Sequence, residues 1–203
     1  GAGADELEGG DGDDSMLGGA QADVLRGGAG RDAMKGEAGA DSLFGGADDD
    51  LLEGGRDDDA LSGEGGNDEV RGDEGADMMS GGEGADRLDG GLGNDMIAGD
   101  AGDDEIDGGE NSDVVSGGEG NDVIRGGLGS DVLRGDAGED RIFAGIDAAG
   151  GAPTDLSSTH TIEGGTGRDE IFGDVGDDVI HGGDDDDVIA ALAGDDQIFG
   201  DDG

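Results

Sequence analysis

The residues of this chain that could do chemistry are carboxylates set at a fixed interval. Aspartate recurs every nine residues at Asp5, Asp14, Asp23, Asp32, Asp41, Asp50, Asp59, Asp68, Asp77, Asp86, Asp95, Asp104, Asp113, Asp122, Asp131 and Asp140. The same spacing resumes at Asp169, Asp178, Asp187 and Asp196. Two places after each stands an apolar residue, from Leu7, Met16 and Leu25 through Ile124, Leu133 and Ile142 to Ile171, Ile180, Ile189 and Ile198. Carboxylates aligned by such a register repel one another unless cations lie between them, so the pattern points to a stack that chelates metal. His160 and His181 are the only histidines and there is no cysteine, so the available donors are overwhelmingly hard oxygens. Such donors suit Ca²⁺, which accepts six to eight oxygens in flexible geometry; Mg²⁺, smaller and slow to shed water, is a poor substitute.

The elements that must hold these carboxylates follow from the rest of the repeat, Gly-Gly-x-Gly-x-Asp-x-U-x with U apolar, seen in Gly81, Gly82, Gly84, Asp86 and Leu88 and again in Gly117, Gly118, Gly120, Asp122 and Ile124. The six residues of Gly-Gly-x-Gly-x-Asp read as a turn, because glycine is costly inside a strand and useful where φ is positive. The three that remain, such as Val123-Ile124-Arg125, read as a very short strand alternating out, in, out. Two copies return the chain to its starting side, which gives an all-β fold of two parallel sheets with their U residues facing one another, two nonapeptides per coil. At the spacing of paired strands the regular repeats predict about eight coils and a rod roughly 38 Å long.

This pattern resembles the RTX (repeats-in-toxin) family, haemolysin-type calcium-binding nonapeptide repeats, over almost the entire chain. The resemblance implies a right-handed parallel β-roll, a β-helix solenoid. It further implies calcium between stacked turns on one edge, held by aspartates two repeats apart and by carbonyls of the glycine-rich turns. Carried onto this sequence, it pairs Asp14 with Asp32, Asp23 with Asp41, Asp68 with Asp86 and Asp104 with Asp122, and makes all twenty aspartates of the register metal ligands. Export by a bacterial type I machine, folding outside the cell and support of a flanking effector domain are also what the resemblance implies. Two other readings stay open: a polysaccharide-binding module, as in repeats appended to alginate-modifying epimerases, and a spacer in a large adhesin.

Composition bounds the alternatives. The formal net charge is -46 with only ten basic residues, so phosphate backbones and anionic lipid are repelled and nucleic acid is excluded as a partner. About sixteen calcium ions, one for each pair of aspartates two repeats apart, would bring the charge to about -14, ordinary for a soluble acidic protein. Acidity, 52 glycines and two per cent aromatic content would by themselves suggest disorder, and disorder is the state expected without calcium. No apolar run approaches the eighteen or so residues of a membrane span, and Gly1 to Gly10 lack the regions of a signal peptide. No catalytic motif appears, so enzymatic activity is not expected; a zinc or catalytic role for either histidine would need partners at a suitable spacing, and the sequence shows none. The arginines and lysine that follow U, among them Arg26, Lys35, Arg71, Arg125 and Arg134, alternate with serine and aspartate and do not make a continuous basic groove.

Three segments result: a regular block over 1–143, a degenerate repeat with a surface loop over 144–163, and a second block over 164–203. In the middle segment two registers compete. One makes Thr161-Ile162-Glu163 a strand, with His160 in the aspartate place; the other uses Leu156-Ser157-Ser158, whose U residue is a serine, and the first is preferred because Ile162 fits a core. On either register at least one calcium step is lost. At the fourth place Gln21, Asp48, Asp57, Asn111 and Asp185 replace glycine; Asp and Asn tolerate a left-handed backbone, whereas Gln21 should strain the turn. The chain starts and stops within turns, so it is expected to be a monomeric piece of a longer protein.

Overall fold

A computed structural model describes residues 1, 3–145 and 158–203. Its strands alternate strictly between two parallel sheets. One sheet runs from Glu6–Asp11 through Val24–Ala29, Ser42–Ala47 and every second strand to Gln197–Phe199; the other runs from Ser15–Ala20 through Ala33–Ala38 and Leu51–Arg56 to Val188–Ala190. Each strand pairs with the one two repeats away, Leu88 lying beside Ile106 and Ile106 beside Ile124. The result is a β-solenoid of about ten turns with two nonapeptides per coil.

The regular strands are six residues long, not three: Val123–Leu128 and Val132–Ala137 continue through the glycine pair. The reason is geometric. The first glycine of the pair faces inward like the U residue two places before it, so the burial alternates over two inward positions, Ile124 and Gly126. The glycine costs a strand some entropy, but its missing side chain lets the two sheets close at that point. The turn proper is only the second half of the motif. The second-place glycines, such as Gly82 at φ 115° and Gly118 at φ 116°, take the left-handed backbone that starts it.

One line of U residues from each sheet meets in a single core, with Leu25, Met34, Leu43, Leu52, Ile106, Ile124, Leu133 and Ile142 fully buried. Leu7 and Ile189 are packed against it in part, and Ile198 on the last strand is exposed. A single inward apolar side chain per repeat is a thin core.

The interruption keeps the core in register. Thr161–Thr166 pairs with Val132–Ala137, placing Ile162 beside Leu133 and completely buried, as the preferred register required. On the other sheet Ile142 lies beside Ile171 and Phe143 stacks on Phe172, ring centroids 5.0 Å apart. The surface loop expected within 144–163 and the rival strand at Leu156 to Ser158 fall largely on residues 146–157, outside the described residues. Gln21 does not break its turn: it adopts φ 78°, next to values of 76° and 72° for Asp48 and Asp57. Glu37, Glu64, Asp73, Asp100 and Asp136 do the same at the second-glycine place, so exposed acidic side chains accept this backbone where glycine is absent.

Candidate metal centre

The aspartates of the register form two ladders, one along each edge of the roll. On one edge the backbone N–H of Asp23 donates to Asp41 Oδ1 at 2.7 Å and that of Asp41 to Asp59 Oδ1 at 2.7 Å. On the other, Asp14 donates to Asp32 Oδ1 and Asp32 to Asp50 Oδ1, each at 2.7 Å. The same bond joins Asp68 to Asp86 and Asp104 to Asp122. Each of the four aspartate pairs named from the family resemblance is thus a pair of stacked neighbours. From Asp23 to Asp140, and again at Asp169 and Asp178, the aspartates are buried; Asp5, Asp14, Asp187 and Asp196, toward the ends, are only partly so.

From Asp23 onward each carboxylate therefore spends one oxygen on the backbone of the coil before it. The other is left over. Among the described residues, Oδ2 of Asp14, Asp23, Asp32 and their successors through Asp140, and of Asp169 and Asp187, is buried with no hydrogen-bond partner. A buried, unpartnered anionic oxygen is costly, and a file of them recurring at each coil is the signature of a missing cation or proton.

The first glycine of each motif shapes the space in front of that oxygen. A Cβ built on Gly108 would lie 2.7 Å from Asp113 Oδ2 and 2.5 Å from the carbonyl oxygen of Gly126 in the next coil; on Gly45 it would lie 2.5 Å from Asp50 Oδ2 and 2.6 Å from Gly63 O. Carboxylate and carbonyl oxygens thus converge on a cradle that any side chain would fill. An all-oxygen donor set with two chemically different oxygens at each coil fits Ca²⁺.

Electrostatics gives the same picture. Burial pushes the carboxyls of Asp59, Asp104, Asp113 and Asp140 up from 3.8 to about 7, against the opposing effect of the donated backbone N–H and with a further rise from stacked aspartates. Asp50, Asp68, Asp77 and Asp122 are pushed up to about 6 for the same leading reason. Without a metal these groups keep their protons to a higher pH than a free carboxyl does.

The family of RTX calcium-binding nonapeptide repeats matches residues 1–34, 26–61, 44–79, 62–97, 80–115, 89–124, 116–148, 161–189 and 181–203. The chain belongs to that family. No curated protein matches it. Within this RTX roll the two edges respond differently to the interruption. One edge passes straight across, the Asp140 N–H donating to Asp169 Oδ1 at 2.9 Å. The other carries a substitution: His160 takes the aspartate place, its Nδ1 3.3 Å from the Asp131 N–H, while its own N–H donates to Asp178 Oδ1 at 3.0 Å. The lost carboxylate therefore belongs to the Asp131–His160–Asp178 edge alone.

Sequence reasoning missed Asp174. It replaces the second glycine of its motif, a place whose other acidic occupants, Glu37, Glu64, Asp73, Asp100, Asp136 and Asp201, are exposed at positive φ. Asp174 instead is 4% exposed, outside that backbone region, and faces His160 and Asp178. The signal available was its place beside the interruption, where one edge has lost its regular neighbour. The basic residues outside the turns are ion-paired across coils: Arg26 with Glu6 at 2.9 Å, Arg125 with Glu105 at 2.9 Å, Arg134 with Glu163 at 3.1 Å, and Lys35 and Arg71 with Glu53. His181 sits half-exposed on a strand, 3.0 Å from Asp201. Among the described residues no helix is long and apolar enough to cross a membrane.

Proposed function

We propose that this RTX repeat region is a calcium-driven folding module. Its twenty register aspartates, from Asp5 to Asp140 and from Asp169 to Asp196, hold on the order of sixteen ions between stacked turns. The observation that carries this reading is the file of buried, unpartnered Oδ2 atoms beside the glycine cradles. Metal-free, the roll would combine a thin core with aligned carboxylates and a glycine-rich chain that has much entropy to lose, so the unfolded state wins. Each bound ion removes repulsion and satisfies an orphaned oxygen, so binding free energy becomes folding free energy. Residues 1–143 and 164–203 form two ion-loaded blocks, and 144–163 is the degenerate repeat between them.

Extracellular modules bind calcium with Kd of about 10⁻⁴ to 10⁻³ M, which places such a switch between cytosolic and extracellular calcium. On that basis the chain remains unfolded inside a bacterial cell, passes through a type I exporter and folds on arrival outside, supporting a larger secreted protein. A polysaccharide-binding surface is less well supported, because the arginines it would use are already engaged by glutamates of neighbouring coils. Circular dichroism tests the central reading. The chain should be disordered in chelator and gain strand signal with millimolar calcium but not with equal magnesium; a strand spectrum in chelator at neutral pH would refute it.

A further inference from the structure

The break in the ladder creates a constellation found nowhere else among the described residues. One ligand atom each from His160, Asp174 and Asp178 lies within 4.8 Å of the others, and all three residues are buried. His160 Nε2 has no hydrogen-bond partner and His160 is 1% exposed; its nearest acidic neighbour is Asp174 Oδ2 at 3.6 Å, beyond a hydrogen bond. On the far side of the ring Nδ1 lies 3.3 Å from Asp131 Oδ2. Nδ1 also accepts the Asp131 N–H at 3.3 Å. Metal binding at Nε2 uses the other tautomer, in which Nδ1 gives up that long contact and donates to Asp131 Oδ2, an oxygen with no other partner, leaving the Nε2 lone pair facing Asp174 Oδ2. This is the arrangement by which a carboxylate orients a metal-binding imidazole.

The surroundings fix the two carboxylates. Asp174 Oδ2 accepts the Ser158 hydroxyl at 2.8 Å and its Oδ1 accepts the Gly176 N–H at 2.8 Å. The Asp174 N–H donates in turn to Asp178 Oδ2 at 3.0 Å. Each oxygen keeps a lone pair for a further partner. An imidazole nitrogen with two carboxylates is a poor calcium set but suits a borderline divalent ion of the first transition row, zinc above all. We propose that His160 Nε2 and Asp174, with Asp178 shared from the calcium ladder, form a single site for a zinc-class divalent cation, chemically distinct from the all-oxygen calcium sites it interrupts. The ion restores, at the one coil that has exchanged a carboxylate for an imidazole, the cross-coil link that calcium supplies elsewhere. The site rests on the calcium-folded roll, since its three residues meet only in the stacked coils.

The test is a zinc titration of the full chain saturated with calcium, followed by calorimetry, with Co²⁺ absorption as a second probe and circular dichroism on the same sample. One zinc equivalent should bind at least tenfold more tightly than any residual sites, and Co²⁺ should give visible bands of low coordination number. His160→Gln should abolish this step and Asp174→Asn weaken it at least tenfold, whereas His181→Gln should leave it unchanged. A folded, calcium-loaded chain with no saturable zinc step, or a step that survives His160→Gln, would overturn the site while leaving the calcium reading intact. A chain with no strand signal in calcium would overturn both.

Discussion

Alanine at a first-place glycine is the sharpest probe of the cradle. In Gly108→Ala the new methyl would sit 2.5 Å from the Gly126 carbonyl oxygen and 2.7 Å from Asp113 Oδ2. Neither atom can give way easily: one is backbone in the next coil, the other a buried carboxylate. Overpacking of this kind costs about 1–3 kcal/mol. Gly65→Ala is the control, because its methyl would meet only Gly46 O at 3.8 Å and its backbone lies outside the positive-φ region. That change should fall within about 0.5 kcal/mol of the parent. The choice of assay matters. A loss of about 2 kcal/mol is roughly a thirtyfold change in the folding equilibrium, but when folding is linked to some sixteen ions the calcium midpoint moves only by about the sixteenth root of thirty, near 1.2-fold. Urea unfolding at fixed, saturating calcium reads the full difference, and a broken coil should also broaden the transition by uncoupling the two halves of the solenoid. Equal midpoints and slopes for Gly108→Ala and Gly65→Ala would refute the cradle.

Asp86 accepts the Asp68 N–H at 2.7 Å, so Asp86→Ala should strand that donor and cost about 1–3 kcal/mol even beyond the loss of calcium, whereas Asp86→Asn can keep the bond and lose only the charge. In saturating calcium both variants should bind fewer ions by calorimetry, with Asn the more stable fold; unchanged stoichiometry would count against the assigned ligands. Acid should act in the opposite sense to its usual effect on carboxylates. Because Asp59, Asp104, Asp113 and Asp140 are raised to about 7 in the metal-free roll, from 3.8, that roll takes up protons the unfolded chain does not. The resulting stabilisation is present below 3.8 and lost as pH rises through about 7, so in chelator strand signal should increase from pH 8 to pH 5.5. Less strand at pH 5.5 would show the aspartates are not stacked without metal.

Why so much of the fold was readable in the sequence is a matter of repetition. A globular core is specified by contacts between distant, dissimilar residues, but here Leu88 meets Ile106 and Ile106 meets Ile124 by the same translation each time. One correct reading of the period therefore places every strand and every stacked aspartate. The strand length was misjudged for a local reason. Glycine is read as a strand breaker, yet Gly126 and its equivalents are strand residues whose lack of a side chain is what the inward position demands.

The site was less legible at the point where translation fails. Spacing showed that His160 stood in for an aspartate, but it offered no partner for the imidazole, because Asp174 belongs to a different motif and reaches His160 only through the third dimension. The insertion also does not tax both edges equally. A segment of variable length can leave and rejoin a solenoid on one edge without disturbing the other, provided the strands beyond it keep their register; Asp140 bonded to Asp169 and Ile142 beside Ile171 show that they do. The edge that absorbs the insertion loses its matched carboxylate, and with it the constraint that every position serve calcium. Asp174 is free to turn inward there, and Ser158 and Gly176 are free to hold it. An interruption in a repeat that binds one ion is thus the place where the fold can acquire a site for another.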